Sequence, residues 1–229
     1  MRVKLLEISQ IGSERAGLLD LSQKYWPEPG QYLPCQRLSG APEVLTTHLF
    51  RVFGFEDAPT LAPLPPDWLP GDNLAVLPPM GKGFEIADEA QRIALLAFKV
   101  SPTRILTLVQ AALAKNASVA LFCDPRPTGD IFDRIPPAVE VATVSDLQEN
   151  LDWPDFLVVD LERPSLETFS SLMGEKATHM DGQVLVRTAM PCRGLGECGV
   201  CAVRTRHGWR LACVDGPVFP LKEVLNVAQ

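Results

Sequence analysis

The chain has 229 residues, a formal net charge of −7, 46% hydrophobic residues and 21% charged residues. This composition is typical of a folded globular protein, and the length allows two small domains or one domain with appendages. The acidic balance argues against a nucleic-acid partner, because no basic surplus exists to neutralise phosphates. No apolar run reaches the length of a membrane-spanning helix, and the first residues lack the apolar segment of a signal peptide. We therefore expect a cytoplasmic protein with no membrane span.

Short apolar and β-branched stretches, separated by turns, fill the first third of the chain. Strands are predicted at 3–11, 16–21, 46–55 and 73–77, with a further strand beginning at residue 31. A proline-rich connection at 59–72 is predicted to be an ordered surface loop. Frequent short strands predict a small antiparallel β-barrel over residues 1–88. Cys35 and His48 have apolar neighbours and are interpreted as packed residues rather than ligands.

A glycine-flanked turn, Gly81, Lys82, Gly83 and Phe84, closes this first region. The N–H groups of such a turn, together with a lysine, can hold a phosphate group. A lone glycine turn is weak evidence for a binding site. A tight turn between two domains is therefore the alternative interpretation.

Residues 89–187 alternate between buried strands and helices. Strands are predicted at 92–99, 118–123, 139–144, 156–161 and 184–186, and helices at about 103–115 and 165–174. The alternation predicts an α/β domain with a parallel sheet. A dinucleotide site after the first strand needs a glycine-rich turn, whereas residues 97–102 read Ala-Phe-Lys-Val-Ser-Pro. NAD binding is therefore not expected.

Four of the six cysteines lie close together near the end of the chain. They are Cys192, Cys198, Cys201 and Cys213, with the spacing C-x5-C-x2-C-x11-C. Plant-type 2Fe–2S clusters use C-x4-C-x2-C…C, in which the first gap is one residue shorter. Gly194, Gly196 and Gly199 supply the backbone freedom that a loop around a buried cluster needs. The segment between the last two cysteines is predicted to form a short hairpin.

Two other interpretations of the cysteines stay open. A structural zinc site takes two closely paired arms, whereas here three cysteines are bunched and the fourth stands apart. Disulfides are typical of secreted proteins, and nothing marks this chain as secreted. The spacing therefore favours an iron–sulfur cluster over zinc or disulfides.

Residues 190–203, MPCRGLGECGVCAV, and residues 211–219, LACVDGPVF, follow a predicted barrel and a predicted α/β domain. In this order they resemble the electron-transfer subunit of the two-subunit, NAD-linked dihydroorotate dehydrogenase, a member of the ferredoxin-reductase-like superfamily. Residues 70–84, PGDNLAVLPPMGKGF, look like the family's segment near the flavin. The resemblance implies a flavin-type barrel at 1–88, a degenerate nucleotide-binding α/β domain at 89–187 and a 2Fe–2S domain at 188–229.

The same resemblance implies an electron-transfer flavoprotein in an oxidoreductase complex of pyrimidine biosynthesis. Its partner would be a dihydroorotate dehydrogenase catalytic subunit or a similar flavoprotein. The four cysteines would hold the cluster, and FAD would lie near Gly81, Lys82, Gly83 and Phe84. The family's Cys-Gly-Pro element falls near residues 160–162, which read Asp-Leu-Glu. No residue is predicted to act as a catalytic acid, base or nucleophile.

Two further functions stay open at the level of sequence. One is a degenerate, cluster-only, ferredoxin-like adaptor for another oxidoreductase. The other is a zinc-bound interaction module without redox chemistry. The absorbance spectrum of protein purified without oxygen separates the three.

Overall fold

The structure is a computed structural model that describes residues 1–38, 46–54, 59–174 and 179–225. It contains an antiparallel barrel, a mainly parallel sheet flanked by short helices, and a cysteine-rich segment, in that chain order. The predicted fold class is therefore confirmed. The last residue of the predicted strand 46–55 and residues 226–229 of the predicted third domain lie outside the described residues.

Six short strands form the barrel. They are β1 (Arg2–Ile11), β2 (Glu14–Leu19), β3 (Tyr32–Arg37), β4 (Thr47–Val52), β5 (Thr60–Ala62) and β6 (Asn73–Val76). They close in the order β1-β2-β5-β4-β3-β6, and every neighbouring pair is antiparallel. Fully buried leucines at 5, 33, 49, 61 and 74 and Trp68 fill the interior. Alternate residues of each strand face this core, as the period-two pattern requires.

Two details of the predicted barrel are wrong. The second strand, predicted at 16–21, is β2 at Glu14–Leu19. The proline-rich segment contains β5, whose three residues are all buried and pair with β2 and β4. Prolines at 59 and 63 bracket this strand. These prolines argue against a strand at the level of sequence, because proline cannot donate a hydrogen bond to a sheet ladder.

Five parallel strands build the second part of the fold. They are β7 (Arg92–Phe98), β8 (Ser118–Cys123), β9 (Val139–Ala142), β10 (Phe156–Glu162) and β11 (Gly182–Arg187). Side chains of β7 alternate between two cores, with Ala94 and Leu96 on one face and Ile93 and Leu95 on the other. Both faces are therefore covered, which explains why the central strands read as continuous apolar runs.

Short helices connect these strands. They are α1 (Val109–Ala114), α2 (Asp130–Arg134), α3 (Val144–Glu149) and α4 (Leu166–Met173), with 3₁₀ turns at Ile105–Leu108 and Arg163–Ser165; a third 3₁₀ turn, Gln23–Tyr25, lies between β2 and β3 of the barrel. The helix predicted at 103–115 is a 3₁₀ turn followed by α1. The strand predicted at 139–144 is too long, because α3 already begins at Val144. Thr143 caps α3 through a reciprocal pair of hydrogen bonds with Asp146.

The cysteine-rich segment is continuous with the sheet. It contains the antiparallel hairpin β12 (Ala202–Thr205) and β13 (Gly208–Leu211), as predicted, followed by β14 (Val218–Pro220) and α5 (Leu221–Val224). Strand β14 pairs antiparallel with β11, so the sheet order is β14-β11-β10-β7-β8-β9. Among the described residues, no helix is long and apolar enough to cross a membrane.

Candidate functional site

The four clustered cysteines lie at the root of the β12–β13 hairpin and divide into two pairs. Cys201 and Cys213 are buried, and their Sγ atoms lie 3.3 Å apart. Cys192 is partly buried and forms a side-chain hydrogen bond with the exposed Cys198. Within the described ranges, no three His, Cys, Asp or Glu side chains converge on a single metal ion. A pairwise division fits a cluster in which two irons share four thiolates.

Backbone N–H groups surround the sulfur of Cys192, and Gly196 N–H also bonds to the sulfur of Cys213. Burial raises the pKa of Cys192, but hydrogen bonds from Gly196 N–H, from the Cys198 side chain and from neighbouring N–H groups outweigh burial and lower this pKa to about 6. Several N–H groups pointing at one sulfur form a concave anion site. The turn is therefore built to stabilise a thiolate.

The buried pair has the opposite electrostatics. Burial raises the pKa of Cys213 to about 12, with further contributions from the hydrogen bond to Cys201 and from the charges of Cys201 and Cys192. Two buried thiols at van der Waals distance can both ionise only if a cation lies close to both sulfurs. The donor set therefore fits a cationic metal cluster.

Left-handed backbone conformations absorb the extra residue in the first cysteine gap. Arg193 has φ of 56°, Gly194 of 83° and Gly196 of 76°. A Cβ atom at Gly194 would lie 2.6 Å from Met80 Cε, so this glycine is also needed for close packing. The chain reverses direction locally between Cys192 and Cys198, and this turn accommodates the longer gap.

The barrel holds this loop from one side. Arg193 Nε donates to Thr46 Oγ1 at 3.2 Å, and its Nη2 donates to Gln36 Oε1. The hydroxyl of Tyr32 donates to the carbonyl oxygen of Cys213 at 2.8 Å. The barrel wall therefore bonds to Arg193, which follows Cys192, and to Cys213 itself.

The glycine-flanked turn also packs against the cysteine-rich segment. Lys82 N–H donates to Gly216 O at 2.5 Å, and Phe84 N–H donates to Pro29 O at 2.8 Å. A Cβ atom at Gly81 would lie 2.6 Å from Pro217 Cδ, and one at Gly83 would lie 2.9 Å from Pro29 O. These contacts agree with the alternative interpretation of residues 81–84, a tight turn packed between two parts of the fold. Its assignment to flavin stays a prediction.

A cavity of about 660 Å³ lies between the barrel and the carboxyl end of the sheet. Its lining includes His48, Phe50, Arg104, Met190 and Pro191, which comes directly before the first clustered cysteine. The Nε2 atom of His48 and the Nε atom of Arg104 are buried without a hydrogen-bond partner. Burial lowers the pKa of His48 to about 4, although a hydrogen bond with the Thr46 backbone opposes this shift.

Unpaired polar atoms in a cavity of this size indicate a ligand with polar edges. Sequence reasoning missed this site, because its walls come from segments far apart in the chain. His48 was the residue that could have indicated the site, but its apolar sequence neighbours led to its interpretation as a packed residue.

Charged side chains line the crevice at the carboxyl ends of β7 and β10, where the strand order reverses. Arg187 forms two hydrogen bonds with the fully buried carboxylate of Asp160, and its Nη1 lies 3.5 Å from Glu14 Oε1. Arg104 Nη2 lies 3.3 Å from the same Glu14 oxygen. Burial opposes the charge of Arg187, but Asp160 and Glu14 outweigh it and raise the pKa of Arg187. Dinucleotides bind parallel sheets in this crevice. Here Glu14, Arg104 and Arg187 line it, and they belong to the wall of the same cavity of about 660 Å³.

The family described as the iron–sulfur cluster binding domain of dihydroorotate dehydrogenase B has a sequence model that matches residues 188–225. The chain is related to the electron-transfer subunits of dihydroorotate dehydrogenase B. The electron-transfer subunit of Desulforamulus reducens dihydroorotate dehydrogenase B (NAD(+)) is 25% identical over 178 residues, which cover 68% of this chain and 67% of that protein. Its Clostridium perfringens counterpart is 26% identical over 166 residues, covering 67% of each. The match thus spans about two thirds of each relative.

Solved structures agree on the fold. The NADH-dependent reduced ferredoxin–NADP oxidoreductase, studied for flavin-based electron bifurcation, superposes with a TM-score of 0.70 at 17% identity, covering 96% of this chain and 88% of that one. A cytochrome P450 reductase from Amycolatopsis has a TM-score of 0.57 at 13% identity, covering 77% and 66%. The fold is therefore ferredoxin-reductase-like, and the predicted resemblance is confirmed.

Proposed function

We propose that this chain is an electron-transfer subunit that carries a 2Fe–2S cluster and exchanges electrons with a dihydroorotate dehydrogenase catalytic subunit. The pairing of Cys192 with Cys198 and of Cys201 with Cys213 is the observation that carries the proposal. The matched family describes this segment as an iron–sulfur binding domain. Each pair would bind one iron, since a 2Fe–2S centre takes four thiolates.

The chain's own residues would hold and insulate the cluster. Gly196 N–H and its neighbours stabilise the sulfur of Cys192, and burial excludes water from Cys201 and Cys213. N–H donors raise the reduction potential of a cluster, whereas burial of its net negative charge lowers it. The bound cluster supplies one-electron chemistry, and no side chain here needs to move a proton.

The cavity beside the cysteine loop is the best place for the flavin ring of FAD. Phe50 and Arg104 line one wall, with the guanidinium 4.4 Å from the centre of the Phe50 ring, and the unpaired nitrogens of His48 and Arg104 offer partners for polar ring edges. Its volume lies within the range of small-molecule sites, roughly 300–1,000 Å³. The lining residue Pro191 is adjacent to Cys192, so a flavin bound there would sit beside the cluster.

Nicotinamide binding is not part of the proposal. The turn after β7 lacks the glycines that let a pyrophosphate approach the backbone, and Arg187 in the crevice is already paired with Asp160 and Glu14. This observation favours a second candidate function, in which the chain is an adaptor that takes electrons from another protein rather than from NADH. FAD binding separates a flavoprotein subunit from a cluster-only adaptor.

A protein partner is supported by exposed apolar side chains near Cys198. Leu195 is 66% exposed, Val200 is 44% exposed and Val214 is 52% exposed. An apolar patch around a redox centre is typical of a protein interface. The catalytic subunit or a similar flavoprotein would cover this face.

The decisive experiment is anaerobic purification followed by absorbance spectroscopy and analysis of iron, sulfide, zinc and flavin. Two irons and two sulfides per chain with a visible charge-transfer band are expected, together with a flavin band on addition of FAD. Cluster bands without any flavin uptake would favour the adaptor. A colourless protein that contains zinc would refute the redox function.

A further inference from the structure

Tyr32 connects the barrel to the cysteine loop from a fully buried position on β3. Its hydroxyl donates to the carbonyl oxygen of Cys213, which belongs to the buried pair. The Tyr32 hydroxyl oxygen would lie 2.9 Å from a Cβ atom added at Gly194, in the turn that follows Cys192. The hydroxyl is therefore bonded to one cysteine of the buried pair and lies close to the turn that carries a cysteine of the other pair.

The ring of Tyr32 faces the cavity wall on its other side. Its centroid lies 5.0 Å from that of His48 in an edge-to-face arrangement, and 5.8 Å from that of Phe50. His48 and Phe50 both line the cavity. A single packed aromatic ring thus links the cavity wall to the cysteine loop.

The position of Tyr32 is fixed by its backbone as well as by its side chain. Tyr32 N–H donates to Met80 O at 3.1 Å, and Met80 N–H donates back to Tyr32 O at 2.9 Å. The Met80 side chain in turn contacts the turn at Gly194. The hydroxyl is therefore held in place before any cofactor binds, as a preorganised site requires.

The Tyr32 hydroxyl acts as the donor toward Cys213. A carbonyl oxygen can only accept a hydrogen bond, so the proton of this bond belongs to Tyr32. The positive end of its O–H dipole points at the backbone of a cluster ligand, where hydrogen bonds tune the metal centre.

We propose that Tyr32 is a positioning residue for the cluster: its hydroxyl holds the Cys213 backbone in place and raises the reduction potential of the cluster. The inference rests on the proposed function, because it requires a cluster on the four cysteines. It goes further by assigning a role in tuning the cluster to a barrel residue that is not itself a ligand.

Tyr32→Phe removes only the hydroxyl, and Tyr25→Phe is the matched control, because Tyr25 packs on the barrel core next to Lys24. Native protein and both variants would be purified without oxygen and compared by redox titration monitored by electron paramagnetic resonance. The rate of iron release to a chelator gives a second readout. Thermal unfolding of the cluster-free proteins reports on folding alone.

We expect a more negative potential and several-fold faster iron release for Tyr32→Phe, with native values for Tyr25→Phe. Failure to load a cluster, in a variant whose cluster-free form unfolds at the native temperature, would also support the proposal. Identical potentials and release rates in Tyr32→Phe and native protein would overturn it. The proposal would also be overturned if cluster-free Tyr32→Phe failed to fold, because the hydroxyl would then be needed for folding of the barrel and not for the cluster. Absence of a cluster from native protein would instead refute the proposed function, and the inference with it.

Discussion

Arg187 binds Asp160 through two hydrogen bonds, with Nε 2.7 Å from one carboxylate oxygen and Nη2 2.6 Å from the other. Asp160 is fully buried at the end of the central strand β10, and Arg187 ends the neighbouring strand β11. Arg187 also donates to Ser101 O, in the connection that follows β7. This ion pair therefore connects β10, β11 and the segment after β7, which surround the crevice where parallel sheets bind nucleotides. Its role here is structural.

Asp160→Asn should destabilise the protein strongly. The substitution removes the nearer of the carboxylates that compensate the buried guanidinium of Arg187 and leaves only Glu14, at 3.5 Å. Removing one partner of a buried ion pair typically costs about 3–5 kcal/mol. Asp67→Asn is a suitable control, because Asp67 pairs with Arg37 while its own side chain is 59% exposed. Loss of an exposed pair costs less than about 1 kcal/mol. Urea unfolding measures both changes, and equal small losses would contradict a structural role for the buried pair.

NADH should fail to reduce the cluster of the isolated chain. The turn after β7, residues 97–102, has no glycine to let a pyrophosphate approach the backbone, and Arg187 in the crevice is paired with Asp160 and Glu14. The visible absorbance should stay unchanged when NADH is added without oxygen, whereas dithionite should bleach it. Rapid bleaching by NADH alone would show that the chain binds the nucleotide without a glycine-rich turn.

Cys198→Ser should abolish the charge-transfer absorbance and lower the iron content. Serine retains a hydrogen-bonding group, but it is a poor ligand for iron in a cluster. Cys35→Ala is the matched control, because Cys35 lies inside the barrel core and outside the cysteine-rich segment. It should keep its iron. Unchanged iron content in Cys198→Ser would refute the ligand assignment.

His48 should make the protein less stable in mild acid. Its pKa is lowered to about 4 in the fold, whereas an unfolded histidine titrates near its ordinary value of about 6.5. Between these values the unfolded chain binds the extra proton and the folded chain does not, so the free energy of unfolding falls as the pH drops from about 6.5 to 4. The contribution should be roughly 2 kcal/mol, after allowance for partial exposure.

Urea unfolding of native protein and His48→Gln at several pH values tests this prediction. The native protein should lose more stability than the variant between pH 7 and pH 4, because the variant lacks the titrating ring. Parallel pH profiles would show that His48 is protonated as readily in the fold as in the unfolded chain.

Local patterns predicted most of the strands and the four cysteines. The buried strand β10 is a run of apolar residues, and the cysteine spacing is a covalent constraint that needs no tertiary information. Strand β5 and helices α2 and α3 were missed, since segments of three to six residues contain less than two periods of a helical or strand pattern. Their conformations depend on neighbours that are distant in the chain.

The amino-acid sequence by itself determined the order of barrel, sheet and cysteine loop, the choice of four cysteines as candidate ligands and the lack of a glycine-rich nucleotide turn. These features are properties of adjacent residues. Only the tertiary structure decided that the thiols form two pairs, that Arg187 binds Asp160 at the crevice, and that Tyr32 reaches Cys213 across 181 positions of the chain. Side chains that far apart in sequence meet only when the barrel and the sheet pack, because no local pattern specifies contacts between separate segments.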